Sequence, residues 1–200
     1  MAPLHILLPL IVARWTSGDA PWHAFLAAYP ARLLVGLLTA LLVAAAPAPG
    51  APRALFYALV ACAMAMQAVV SQVQFVSQMA FFARVSDPSI GGTAMTLLNT
   101  VANLGGKWPT SVALFLAEPM TRRACEGAAG VAGQCGGAGA REACAATGGV
   151  CVTHKDAFTP LTVVCTLLGV AWLAVARRPV VELQKLPHSA WLPGQRSHKP

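Results

Sequence analysis

Four long runs of mostly apolar residues constrain this chain more than any other feature, at about 31–46, 53–83, 93–117 and 158–176. A crossing of the hydrocarbon layer needs roughly 20 such residues, within a range of about 17–25. The runs at 93–117 and 158–176 meet that length directly. The run at 31–46 meets it with its flanks. The run at 53–83 is long enough to span with tilt and to continue beyond the membrane. In lipid, only structures that satisfy every backbone group internally are viable, and runs of this length do so as helices. The expected fold class is therefore all-α: a polytopic membrane helix bundle.

Composition excludes the alternatives. The chain is 56% hydrophobic and only 10% charged. Disorder needs the opposite balance. A soluble domain carries about 25% charged residues, and too few are present here to cover an apolar core. The net charge is +7, from 14 basic and 7 acidic residues. Five of the basic residues, Arg177, Arg178, Lys185, Arg196 and Lys199, fall near the C-terminus. They flank an apolar run rather than alternate with aromatics on a polar domain. That pattern fits the cytosolic border of membrane helices, so a lipid bilayer is expected as partner and nucleic acid is not.

A fifth apolar run, about 3–13, is too short to span. It lacks the basic start and small-residue cleavage site of a signal peptide. It reads as the second half of a helix, a first hint that the chain is the C-terminal piece of something longer. Between the runs, Pro and Gly punctuate the connections. Trp15 to Tyr29, with Gly18, Asp19 and Pro21, reads as a loop. Pro47, Pro49, Gly50 and Pro52 form a tight link. Asp87-Pro88 starts a turn, after which Thr93 is placed to cap the next helix through its hydroxyl.

With the C-terminal tail in the cytosol, the cytosolic side carries eight Lys and Arg, Arg14, Arg32 and Arg84 among them, against five on the other side. The sign is right for that orientation, though the bias is small. Cysteine adds to it. Cys125, Cys135, Cys144 and Cys151 all fall in the connection 119–157. Four cysteines allow three pairings, which spacing does not distinguish. No C-x-x-C spacing occurs, so zinc is the weaker reading and no metal is expected. A disulfide-stapled loop in an oxidising lumen is the stronger one. Cys62 and Cys165 lie inside apolar runs and behave as small apolar residues. The resulting organisation is membrane helices and a lumenal Cys-rich loop (119–157) within 1–176, then a cytosolic basic tail at 177–200.

Two polar stripes interrupt the apolar runs. Gln67, Ser71, Gln74 and Gln78 recur at spacings of 4, 3 and 4. Thr93, Thr96, Thr100, Asn103 and Lys107 recur at 3, 4, 3 and 4. Each set shares one helical face. Lipid does not satisfy such groups, so they face protein or a water-filled cavity. One reading is hydrogen-bonded glue between helices; the other is a polar pathway. Lys107 is either a functional intramembrane cation or a side chain that snorkels to the interface. Gly105, Gly106 and Pro109 beside it loosen the helix near mid-membrane, where secondary transporters place substrate, or else permit close helix packing. Nothing resembles a catalytic constellation. There is no phosphate-binding Gly-rich loop, His5 is the lone histidine near an apolar run and is weak support for an acyltransferase, and no cofactor is expected.

The stretch ARVSDPSIGGTAMTLLNTVANLGGKWP, Ala83 to Pro109, carries a resemblance. Its Val85-Ser-Asp87-Pro88 turn, Ile90-Gly91-Gly92-Thr93, Met95 to Thr100, Asn103-Leu-Gly105-Gly106 and Trp108-Pro109 resemble the acetyl-coenzyme A transporter family, solute carrier family 33. The segment Gly148-Gly149 to Thr153 around Cys151 is similar as well, with weaker similarity over Leu8 to Gly18 and Pro30 to Gly36. The resemblance implies a major-facilitator-type fold of two six-helix halves, of which this chain is the C-terminal portion. It implies carriage of acetyl-coenzyme A from cytosol into the endoplasmic reticulum lumen, in that organelle's membrane, and no enzyme activity. The N-terminal helices are then missing from the chain, or supplied by a partner membrane chain; a truncated, non-transporting protein that pairs with such a chain is the alternative. Lys107 stands where the family pattern has an uncharged polar residue. A cation there either pairs with the phosphates of coenzyme A or marks drift in a non-functional copy. Gln74, Gln78, Thr100, Asn103 and Lys107 are the candidates to line the substrate path. Arg32 and Arg84 are placed to attract substrate at the cytosolic ends, a position that the charge bias explains equally.

Overall fold

A computed structural model describes residues 12–13, 20–46, 53–127 and 135–191. The run at 3–13 lies outside these residues except for Val12 and Ala13, which are helical. The elements in order are α1 (Pro21–Ala44), α2 (Ala54–Val85), α3 (Gly91–Met120), β1 (Arg122–Glu126), α4 (Ala138–Ala146), β2 (Val150–Lys155), α5 (Phe158–Gln184) and a 3-10 turn (His188–Trp191). The all-α expectation holds, with one small hairpin added to it. The described chain falls into two units: residues up to Asn103 together with those from Cys165 onward, and Leu104–Val164.

The first helix corrects the reading of 15–29 as a loop. Residues 21–29 are helical and α1 begins at Pro21. Proline suits the first position of a helix, because its fixed φ is already helical and its missing N–H is not needed there. Trp22, Phe25, Leu26 and Tyr29 then fall at i, i+3, i+4 and i+7, an apolar helical face. Pro30, which reads as a breaker in isolation, sits inside α1. The helix ends at Ala44, short of Pro47. α2 stops at Ser86, whose backbone is extended. The Ser86 N–H and hydroxyl both donate to the Phe82 carbonyl, at 3.1 and 2.7 Å. α3 starts at Gly91, which leaves Thr93 in its first turn rather than at the cap. The Phe158 N–H that opens α5 donates to Asp156 Oδ1 at 3.1 Å. α5 runs through Pro179 to Gln184, beyond the end of its apolar run.

Among the described residues, α1, α2 and α5 are long and apolar enough to cross a membrane. α3 has the length, 30 residues, but its polar stripe dilutes its apolarity below theirs. The first unit is built by packing on α1. Val35 and Ala40 of α1 and Ala63, Val70, Phe81 and Phe82 of α2 are buried. Trp22 packs edge-on against Phe25 and Phe81, and Phe81 against Trp191, with ring centres 4.9 to 5.9 Å apart. α1 meets α5 where Tyr29 lies 5.1 Å from Trp172. At Gly169 the approach is so close that an added Cβ would sit 2.7 Å from Leu33 Cδ2. The Trp22 backbone N–H donates to Gln184 Oε1 at 3.2 Å, tying the start of α1 to the end of α5. Large apolar side chains such as Leu34 (66% exposed) and Val175 (77%) point outward, as lipid-facing residues do.

The second unit holds the four disulfide-bonded cysteines. β1 and β2 pair antiparallel, with Cys125 opposite Cys151 and an irregularity between Arg122 and Arg123. The facing cysteines are not bonded to each other. The disulfides are Cys125–Cys144 and Cys135–Cys151, with Cα separations of 5.9 and 6.0 Å. The two links interlock in sequence and tie α4 and the Cys135 segment to the hairpin. Cys135, Cys144 and the small Ala157 are each 1% exposed and form the unit's core. The Cys135 N–H donates to the Arg123 carbonyl at 3.1 Å. Gly148, at φ +76°, makes the turn from α4 into β2, a conformation that favours glycine.

Candidate functional site

The best-formed polar contact in the apolar part of the chain joins α1 to α2. Arg32 Nη1 donates to Gln74 Oε1 at 2.7 Å. Because α1 begins at Pro21, Arg32 stands at the middle of that helix rather than at an end. The charge count that placed it there is corrected accordingly. Gln74 is 4% exposed, and its Nε2 has no partner among the described residues. Gln67 Oε1, two turns earlier on α2, is likewise buried and unpaired. Buried polar groups are nearly always hydrogen-bonded, and leaving one unmade costs about 1–3 kcal/mol. An arginine at the middle of α1, bonded to an amide with an unsatisfied donor, makes a site that still has hydrogen-bonding capacity to offer, and Gln67 adds an unpaired acceptor two turns along α2.

The other expected path residues fall in different surroundings. Gln78 is half-buried, one turn beyond Gln74. On α3, the Thr96 and Thr100 hydroxyls donate to the carbonyls of Gly92 and Thr96, each at 2.8 Å. Gly92, Thr93, Thr96, Leu97 and Thr100 line a groove of about 450 Å³. No hydrogen bond among the described residues links Thr100 to Gln74 or Gln78. Asn103 and Lys107 are exposed, and α3 buries no residue at all. A Cβ on Gly91, Gly92, Gly105 or Gly106 would meet nothing within 4 Å, so these glycines serve no close packing among the described residues. Trp108 is 61% exposed, and Pro109 lies within the helix.

The Asp87-Pro88 turn forms as expected. Asp87 Oδ1 accepts from the Ser89 N–H and from the Ser89 hydroxyl, both at 2.8 Å. The backbone bond, then the hydroxyl bond, hold the carboxyl below its ordinary range, with His188 a smaller contribution. His188 Nδ1 lies 2.9 Å from the Arg84 carbonyl, which fixes the 3-10 turn to the end of α2. Asp87 is thus occupied by its own turn and carries no chemistry. The sulfurs of Cys125, Cys135 and Cys144 lie within 4.8 Å of one another. That grouping is what two adjacent disulfides produce, and a disulfide sulfur is not the thiolate that binds zinc.

Reading the sequence missed Arg32 as a mid-span residue. The i, i+3, i+4, i+7 spacing of Trp22, Phe25, Leu26 and Tyr29 was the available sign that α1 starts before Pro30.

Comparison with known proteins adds the family. Residues 10–192 match the family of acetyl-coenzyme A transporter 1. The chain belongs to that family. It is 33% identical, over 94% of its length, to an uncharacterised protein of Schizosaccharomyces pombe, of which the match covers 36%. It is 29% identical, over 90% of its length, to an uncharacterised membrane protein of Saccharomyces cerevisiae, of which the match covers 33%. The chain thus spans about a third of the length of these relatives. No solved structure matches it.

Proposed function

We propose that this chain is the C-terminal part of a carrier that moves acetyl-coenzyme A from the cytosol into the lumen of the endoplasmic reticulum. The observation that carries the reading is the Arg32–Gln74 pair. A charged group in mid-span is costly, and marks a substrate pathway by default. Coenzyme A presents a pyrophosphate and a further phosphate. Arg binds such groups through two parallel N–H donors, and Gln74 already orients one edge of the guanidinium. The unpaired Gln74 Nε2 offers a further donor beside it, and Gln67 Oε1 an acceptor two turns along α2. Gln78, Thr100, Asn103 and Lys107 continue the path, and α3, the least apolar of the long helices, is the element that a polar path requires. The family supports the substrate class, and the membrane-spanning helices support the multi-pass location. Alternating access in such carriers rocks one half against the other, so the site is completed by helices beyond this chain.

The test is uptake of labelled acetyl-coenzyme A into proteoliposomes by the complete protein. Arg32→Ala and Gln74→Ala are each expected to slow uptake by about ten- to a hundredfold, the range for losing a hydrogen bond to a charged group. Arg32→Lys should restore part of it, and Asn103→Ala with Lys107→Ala should lower it further. Undiminished uptake in all of these variants would remove the path. Absence of uptake by the complete wild-type protein, with a second membrane chain co-purifying, would favour the non-transporting alternative.

A further inference from the structure

A second polar feature of the first unit lies away from Gln74. The N-terminal half of α1 and the C-terminal half of α5 enclose a cleft of about 860 Å³. Leu26, Pro30, Val170 and Leu173 form an apolar floor. His23, Arg177, Arg178 and Lys185 stand at one end of it, with Glu182 the single acid. Among the described residues, no ion pair neutralises Arg177, Arg178 or Lys185. The α5 side of the lining, from Val170 to Lys185, falls at i, i+3, i+4, i+7, i+8, i+11, i+12 and i+15, so one face presents it.

We infer that this cleft binds an anionic phospholipid, with its phosphate among Arg177, Arg178 and Lys185 and an acyl chain along Leu173, Val170 and Pro30. Three observations choose that occupant. The first is length: from Val170 to Lys185, α5 rises about 22 Å, and one leaflet including its headgroups is about 20–22 Å deep. The second is the gradient along the cleft, which is apolar at one end and cationic at the other, like the molecule proposed. The third is depth. Trp22, Phe81 and Trp191 cluster at the cationic end, and aromatic rings of this kind mark the headgroup level of a membrane. Basic pockets between membrane helices hold anionic headgroups on the same physical grounds. A soluble phosphate compound would satisfy the cations but leave the floor unused.

The complete protein, purified in a neutral detergent, is mixed with phosphatidylserine or phosphatidylcholine, and bound lipid is counted by native mass spectrometry. Phosphatidylserine should be retained in preference to phosphatidylcholine. The triple variant Arg177→Gln, Arg178→Gln, Lys185→Gln should bind it far less, by about fivefold for each cation removed. Glu182→Gln should bind it at least as well as wild type. Ala174→Trp keeps every charge but fills the floor, and should also release the lipid; it tests the cleft even if the triple variant fails to fold. Equal retention of the two lipids, or unchanged phosphatidylserine binding in Ala174→Trp and the triple variant, would overturn the assignment. So would displacement of the lipid by coenzyme A or inorganic phosphate at constant ionic strength, which would assign the cleft to a soluble phosphate ligand.

Discussion

Asp87 shows how far one side chain can be understood from its neighbours alone. Its carboxylate takes two hydrogen bonds from Ser89 and lies outside the helices on either side. Both bonds favour the ionised form, which lowers the pKa in the folded chain. A group depressed in this way contributes its stabilisation above its unfolded pKa, about 3.9 for Asp. The contribution disappears as pH falls through the lower, folded value. The order of the two causes makes a finer prediction. Ser89→Ala removes the hydroxyl bond but keeps the N–H bond, so the Asp87 pKa should rise only part of the way to its ordinary value. Asp87→Asn should abolish the acid-dependent step in exchange protection of the Ser89 amide. An NMR titration of the carboxyl carbon in the two proteins checks the first statement. Amide exchange measured from pH 6 down to about 3 checks the second. A full return to the ordinary value in Ser89→Ala would mean that the backbone bond contributes nothing.

At the scale of elements, what the sequence made legible and what it hid divide along physical lines. Long apolar runs reveal α2, α3 and α5 as helices, and the expected runs and the observed helices differ there mainly at the ends. α1 was cut short because Pro30 is a local breaker, whereas Trp22, Tyr29 and the Gln184 bond hold the helix through it by tertiary contacts. The cysteine loop was legible as a disulfide loop, but its hairpin was not, since β1 is only RRACE and lacks alternation. Nor was the pairing, because opposition across strands, Cys125 to Cys151, is not the link that forms. The polar stripes were readable as faces, while the partner of Gln74 depended on where α1 began. The loop carries its own prediction. Its links close separations of 19 and 16 residues, each worth about 3 kcal/mol in the loop-entropy account. With Cys135, Cys144 and the small Ala157 as the core, there is little apolar burial to replace either link. Replacing Cys125 and Cys144 together by Ser should therefore make 122–155 far more sensitive to limited proteolysis, with cleavage confined to that unit. Unchanged protease resistance would show that the hairpin is held by something other than its disulfides.

For the whole molecule, the orientation of the chain follows from which helices cross. α5 alone separates the disulfide loop from the residues after Gln184, so if it spans, the two lie on opposite sides. Disulfides persist in oxidising compartments, so the proposed orientation has the loop on the lumenal side and the basic end of α5 on the cytosolic side. α3 is the element on which the rest depends. It is long enough to cross but is the least apolar of the long helices and buries no residue. If it spans, the Asp87-Pro88 turn is cytosolic; if it lies along the interface, the turn shares the lumenal side with the cysteines. A carrier reading requires the crossing, because a polar helix lining a path must run through the membrane with it. The two arrangements separate by labelling in sealed microsomes. With the free cysteines Cys62 and Cys165 replaced by Ala, Ser89→Cys should react with a membrane-impermeant maleimide from outside. Val150→Cys, exposed at the start of β2, should react only after the membrane is opened. Should Ser89→Cys also need permeabilisation, α3 does not cross, its stripe lines no path, and Arg32 with Gln74 is left as the polar site that any transport would have to use.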